Sequence, residues 1–188
     1  MKIIVWNSQD KCVADYHKLI RGCDVLCLLD CGQWTVPVYA LQIQNGLFHW
    51  KDEHEGLSYD IFYCLEKVAF ICRDGLYSGE SVLYSIHSNI GSLVGIRLQD
   101  DFWLFANHES NRSNACHIGE FYLREISDRF RKAAFVADFK EKSYSWAQET
   151  IGGLYCIAPP KGYHPHTINY LFTCLLYTSP SPRDYAAS

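Results

Sequence analysis

Apolar positions in this chain cluster into short runs, and four of them end on a polar residue able to hold a metal or move a proton. Ile3-Ile4-Val5-Trp6 leads to Asn7, and Val25 through Leu29 leads to Asp30. Phe102 through Ala106 leads to Asn107 and His108, and Ala133 through Ala137 leads to Asp138. Short apolar runs of this kind predict buried strands. In mixed α/β folds, functional groups gather where strands leave the core and enter loops. Strand ends bearing Asn, Asp, His and Asp therefore predict one polar cluster at one rim of a sandwich.

The remaining pattern fills in the elements. Residues 10–21 have helical spacing, with Val13, Tyr16 and Ile20 on one face and Gly22 as a stop signal. After the second strand, over 24–29, a stretch with Gly32, Pro37, Gly46 and Gly56 reads as loop-rich. Residues 59–63 and 67–72 predict a strand pair, and 81–86 and 93–98 predict two further strands. Gln99-Asp100-Asp101 predicts a tight turn into the run at 102–107. Residues 117–132 predict the clearest helix, since Ile118, Tyr122, Ile126 and Phe130 recur every fourth position and Phe121 widens the stripe. Leu154 through Ile157 is a short apolar run after Gly152-Gly153, and 167–172 predicts a last strand. Strands dominate and two helices accompany them. The expected fold is therefore α/β in composition (α+β), a two-sheet β-sandwich flanked by helices rather than a doubly wound parallel sheet.

Composition narrows the function classes. The chain has 188 residues, 48% of them hydrophobic, enough for one domain with a substantial core. A formal net charge of −4 argues against sequence-independent nucleic-acid binding through bulk charge. Arg124, Arg129, Arg131 and Lys132 form a local basic group that reads as a solvated helix face. No run approaches the roughly 20 apolar residues of a membrane span. Met1-Lys2 leads straight into the first strand with no signal peptide, which implies a cytoplasmic protein as the sequence stands. The nine cysteines include no CxxC pair, so reduced, mostly buried thiols are expected rather than disulfides or a zinc centre.

Residues 174–188 shift to Ser, Pro and Ala, and the stretch from Cys174 to Asp184 resembles translated sequencing adapter. The expected organisation is an incomplete domain over 1–173 and a non-native tail over 174–188.

Taken in order, the motifs resemble the endonuclease/exonuclease/phosphatase superfamily, most of all the cytolethal distending toxin B subunits. Trp6-Asn7-Ser8-Gln9 resembles their opening Trp-Asn-x-Gln, and Leu29-Asp30-Cys31-Gly32 stands where they carry Gln-Glu-Ala-Gly. Asn107-His108 matches their strand-end histidine, and Ala137-Asp138-Phe139-Lys140 is similar to Gly-Asp-Phe-Asn. Residues 157–160 through 167–170 resemble the stretch before their final motif.

The resemblance implies a deoxyribonuclease-like fold and a Mg²⁺-dependent phosphodiesterase acting on DNA or another phosphoester. Such chemistry needs an in-line water, neutralised phosphoryl oxygens and a stabilised leaving alkoxide, and a hard cation on oxygen ligands serves the last two needs. It implies Asp30 as the principal metal carboxylate and Asn7 as its neighbour on metal or phosphate. His108 would act on a phosphoryl oxygen or the leaving group, and Asp138 would orient water or bind phosphate.

Departures from the pattern point the other way. Asp30 replaces a Glu, one methylene shorter; Lys140 replaces an Asn; Asn169 replaces the Asp that orients the histidine. Asn114 stands for an Asp, and Gly91 or a neighbour for a phosphate-binding Arg. The family's Ser-Asp-His motif would fall beyond Phe172, so the 188-residue chain is expected to be inactive, to lack a strand of the second sheet and to express poorly. Two alternatives follow: a catalytically inactive homologue serving as a binding domain, and a phosphoinositide-type phosphatase on the same site. Toxin subunits of this kind are secreted, which implies a misplaced start if this chain follows them; holotoxin partners are not legible.

Overall fold

A computed structural model describes residues 1–8, 13–32, 35–53, 55–64, 67–87, 91–108, 117, 121–126, 129, 130, 132–138, 155–157 and 169–173. Among them two six-stranded sheets form. From edge to edge the first is β1 (Ile3–Asn7), β2 (Val25–Leu29), β6 (Val68–Arg73), β5 (Ser58–Cys64), β4 (Leu47–Lys51) and β3 (Leu41–Gln44). The second is β11 (Tyr155–Ile157), β12 (Asn169–Thr173), β10 (Ala133–Asp138), β9 (Phe102–Asn107), β8 (Gly91–Leu98) and β7 (Tyr77–His87). The β1–β2 and β9–β10 pairs are parallel, and the other pairings are antiparallel. The first crossover carries helix α1 (Val13–Arg21), and the second carries a π-helical turn (Tyr122–Ile126).

Strand β2 reads as an unbroken apolar run because both of its faces are covered. Val25, Cys27 and Leu29 join Phe70, Cys72, Ile96, Leu104, Ala106 and Val136 between the sheets. Leu26 and Leu28 join Ile20 of α1, Trp50, Ile61 and Ile71 on the outer face of the first sheet. On the second sheet, Trp103 and Phe105 alternate with the inter-sheet residues of β9, and their rings stack at 5.8 Å. Phe130 lies 4.8 Å from Trp103 and 5.2 Å from Phe105, so the second crossover covers that outer face. Each buried side chain of this size contributes roughly 1.5–3 kcal/mol.

Two elements differ from the sequence-based expectation. The stretch after β2, expected to be loop, contains the β3–β4 hairpin, turning at Asn45-Gly46. Gly46 has φ +76°, and a Cβ there would sit 2.8 Å from the Tyr63 carbonyl oxygen, so the turn needs glycine. β3 is exposed along its whole length, so it carries no buried face to betray it. The second departure concerns the helix expected over 117–132: among its described residues 117 and 121 are α-helical, Tyr122–Ile126 is a π-helical turn, and 129, 130 and 132 are not helical. The Ile126 carbonyl accepts from the amides of both Arg129 and Phe130, at 3.0 and 3.2 Å. Residues 118–120, 127–128 and 131 of that helix, and the whole tail at 174–188, lie outside the described residues. No helix is long and apolar enough to cross a membrane among the described residues.

Candidate active site

The four strand ends picked out by pattern are the C-terminal ends of the two parallel pairs. Asn7 is the register partner of Leu29, one residue before Asp30. Asn107, just before His108, is the register partner of Ala137, one residue before Asp138. Parallel strands leave a sheet at the same side, so each pair delivers its two ends together. The β2 and β9 side chains pack into one core between the sheets, and this brings the two pairs to a common rim. His108 Nε2 lies 3.2 Å from Asp30 Oδ1.

Local structure fixes Asp30. Its φ is +52°, in the left-handed region that a non-glycine residue seldom adopts, although Asp tolerates it better than most. Ser8, buried at the end of β1, clamps the turn. Its amide donates to the Leu29 carbonyl at 2.8 Å, and its hydroxyl lies 3.2 Å from that oxygen and 3.3 Å from the Asp30 carbonyl oxygen. From the β5–β6 hairpin, Lys67 (φ +61°) accepts a bond from the Cys31 amide at 3.1 Å. Its ammonium donates to Asp30 Oδ1 at 3.2 Å. One carboxylate oxygen thus receives Lys67 and His108 together. Ser8 and Lys67 were not among the residues expected from sequence. Ser8 could have been suspected as the small polar residue after the first strand end, whereas Lys67 reaches the site only through a hairpin 37 residues away.

The His108 side chain is 12% exposed. A nitrogen facing a carboxylate at this distance acts as a donor, so Nε2 carries the proton in that bond. The buried Nδ1 has no hydrogen-bond partner among the described residues. A buried polar atom of this kind calls for a water or a substrate group. Asn7 shares the inter-sheet side of β1 with Ile3 and Val5, and its Oδ1 is buried. Asp138 is placed as a strand position: it closes β10 and is the register partner of Asn169 in β12. Lys140 and Asn114 lie outside the described residues, and Gly91 opens β8.

As a cation site the rim is lean. It offers the Asp30 carboxylate, with the Asn7 amide on the adjoining strand. Mg²⁺ keeps several waters and takes substrate oxygens alongside one or two carboxylates, so this donor set fits it. Among the described residues, the grouping of three His, Cys, Asp or Glu ligands close enough to share an ion is elsewhere, at His49, Asp60 and Asp74.

No protein-family model matches the chain, and no curated protein matches it. Solved structures do. A functionally unknown conserved protein from Enterococcus faecalis V583 superposes with a TM-score of 0.51 at 12% identity, covering 92% of this chain and 87% of that one. TDP2 from C. elegans superposes with a TM-score of 0.51 at 14% identity, covering 91% of this chain and 64% of that one. At such identities the likeness establishes the fold. The chain has a deoxyribonuclease-like, two-sheet α+β sandwich.

Proposed function

We propose that the full-length protein is a divergent Mg²⁺-dependent phosphodiesterase whose substrate class is DNA, akin to the toxin B subunits, and that this chain carries part of its site. The observation that carries the reading is the 3.2 Å approach of His108 to Asp30 where both parallel pairs end. Asp30 and Asn7 hold the cation; when bound, it neutralises phosphoryl oxygens and favours departure of the alkoxide. His108, held through Nε2 by Asp30, presents its second ring nitrogen to a phosphoryl or leaving-group oxygen. Asp138, one position beyond the Asn107 partner, orients water or phosphate. The fold shared with TDP2 is compatible with this reading and adds no detail to it.

The second reading is an inactive homologue that binds without cleaving. Lys67 favours it, since its ammonium stands on the oxygen that a metal would use. Asn169, opposite Asp138, also removes a carboxylate from the rim.

Nicking of supercoiled plasmid by the full-length protein, which would supply the motif expected beyond Phe172, tests the two. The first reading predicts nicked circles in Mg²⁺, none in EDTA, and a fall of about 100-fold or more in His108→Ala. Nicking that is indifferent to EDTA or to His108 overturns it. Mg²⁺-dependent DNA binding without nicking establishes the second reading, and phosphate release from a phosphoinositide headgroup without nicking redirects the same site to a phosphatase.

A further inference from the structure

At the opposite end of the first sheet, His49, Asp60 and Asp74 bring one ligand atom each to within 4.8 Å of one another. The strand register makes the group. His49 of β4 and Asp60 of β5 are register partners, with Nδ1 and Oδ1 3.0 Å apart. Asp60 is also the register partner of Cys72 in β6. Asp74 follows β6 directly, and its amide donates to the Ser58 carbonyl of β5 at 2.9 Å, which sets it beside the pair. The group lies at the Val25 end of β2, since Val25 pairs with Cys72, whereas Asp30 follows the Leu29 end. Four strand steps separate those ends, roughly 13 Å.

We propose that His49, Asp60 and Asp74 form a second cation site, for a borderline divalent ion of the Zn²⁺ class. The charge balance asks for a cation. The His49 imidazole pairs with Asp60, and neither carboxylate has a Lys or Arg partner among the described residues. The donor chemistry selects the ion: one imidazole nitrogen and two carboxylate oxygens suit Zn²⁺, Co²⁺ or Mn²⁺, while all-oxygen cages suit Ca²⁺ and Mg²⁺. Tetrahedral bonds of about 2.0–2.2 Å set ligand atoms about 3.3–3.6 Å apart. Asp74 is exposed, so its side chain is free to rotate toward the pair. The neighbouring Cys72 is buried in the core between the sheets. Three protein ligands leave a fourth position to water, so the ion is exchangeable rather than a closed structural zinc.

The test is titration of the whole chain with Co²⁺, as a spectroscopic stand-in, followed by displacement with Zn²⁺. One saturable equivalent with weak visible bands is expected, without the intense near-ultraviolet absorption of cobalt–thiolate. Zn²⁺ should raise the melting temperature of the wild type and of Asp30→Asn alike. His49→Ala and Asp74→Asn should each weaken binding by no less than the roughly tenfold that loss of an outer-shell partner alone produces. Asp74→Asn, an exposed and nearly isosteric change, keeps the test decisive if His49→Ala fails to fold. The site is overturned by absence of saturable binding, by affinity unchanged in Asp74→Asn, by loss of the ion in Asp30→Asn, or by a thiolate spectrum. Independence from Asp30 also separates this result from the fate of the phosphodiesterase reading.

Discussion

A single carboxylate oxygen, Asp30 Oδ1, carries most of what the candidate active site can do, and Lys67 and His108 compete for it. The Lys67 ammonium is more than half exposed, so the pair is screened and is worth only about 0.2–1 kcal/mol. Lys67→Met should therefore tighten divalent binding at the rim by about two- to fivefold, read as the Mg²⁺ midpoint of DNA binding; weaker Mg²⁺ binding would mean that Lys67 grips the substrate instead. A second position shows how tightly the scaffold behind the site is packed. Gly95 of β8 is the register partner of Phe105, and a Cβ there would come within 2.6 Å of Phe105 Cδ1 and 3.0 Å of Val82 Cγ2. Gly95→Ala should destabilise by about 1–3 kcal/mol in urea denaturation, through overpacking under β9. Asp30 and His108 were legible in the sequence because each terminates an apolar run. Ser8 carries only the weak signal of a small polar residue after a strand, and Lys67 carries none, because its role depends on a contact 37 residues away in the chain.

Among the elements, the two parallel crossovers matter most, since they aim both pairs of strand ends at one rim. Helix α1 is pinned to the first sheet by more than its apolar face. His17 Nε2 lies 2.8 Å from the buried carboxylate of Asp52, and Arg21 lies 3.9 Å from that carboxylate and 2.9 Å from Glu55. Removing one partner of a buried carboxylate strands the other without full compensation. His17→Ala should therefore lower stability by about 1–3 kcal/mol, seen as a reduced urea midpoint, while the rim geometry of Asp30 is kept. The strands of both cores were legible because burial on two faces produces unbroken apolar runs. The β3–β4 hairpin was passed over although Asn45-Gly46 is a strong hairpin signal, because exposed β3 offers no face to confirm it. The end of the second helix was hidden for another reason. A period-four stripe records which residues are buried, and Phe130, which is not helical, packs on the Trp103 and Phe105 rings of β9.

For the whole molecule, the sandwich fills its interior with thiols as well as hydrocarbon. Cys23, Cys27, Cys31 and Cys72 are buried. Burial, opposed by the Lys2 charge and reinforced by Asp24, pushes the Cys23 thiol from the ordinary 9.0 up to about 11. Cys27 and Cys72 are raised as well, burial again being the main cause. The folded state thus holds these protons more tightly than the unfolded chain does. That contribution to stability is complete below pH 9.0 and is lost as pH rises through about 11, so urea midpoints should fall over this alkaline window. A midpoint that stays level there would contradict burial of the thiols.

The fold gives the molecule one rim where its parallel strands end, and the central claim is that this rim joins a divalent cation to a phosphodiester. The most direct measurement is fluorescence anisotropy of a labelled DNA duplex with and without Mg²⁺, for the wild type and Asp30→Asn. The account predicts Mg²⁺-dependent binding by the wild type and its loss in Asp30→Asn, with the melting temperature preserved. Binding that is equally strong in EDTA, or that is unchanged in Asp30→Asn, would contradict it.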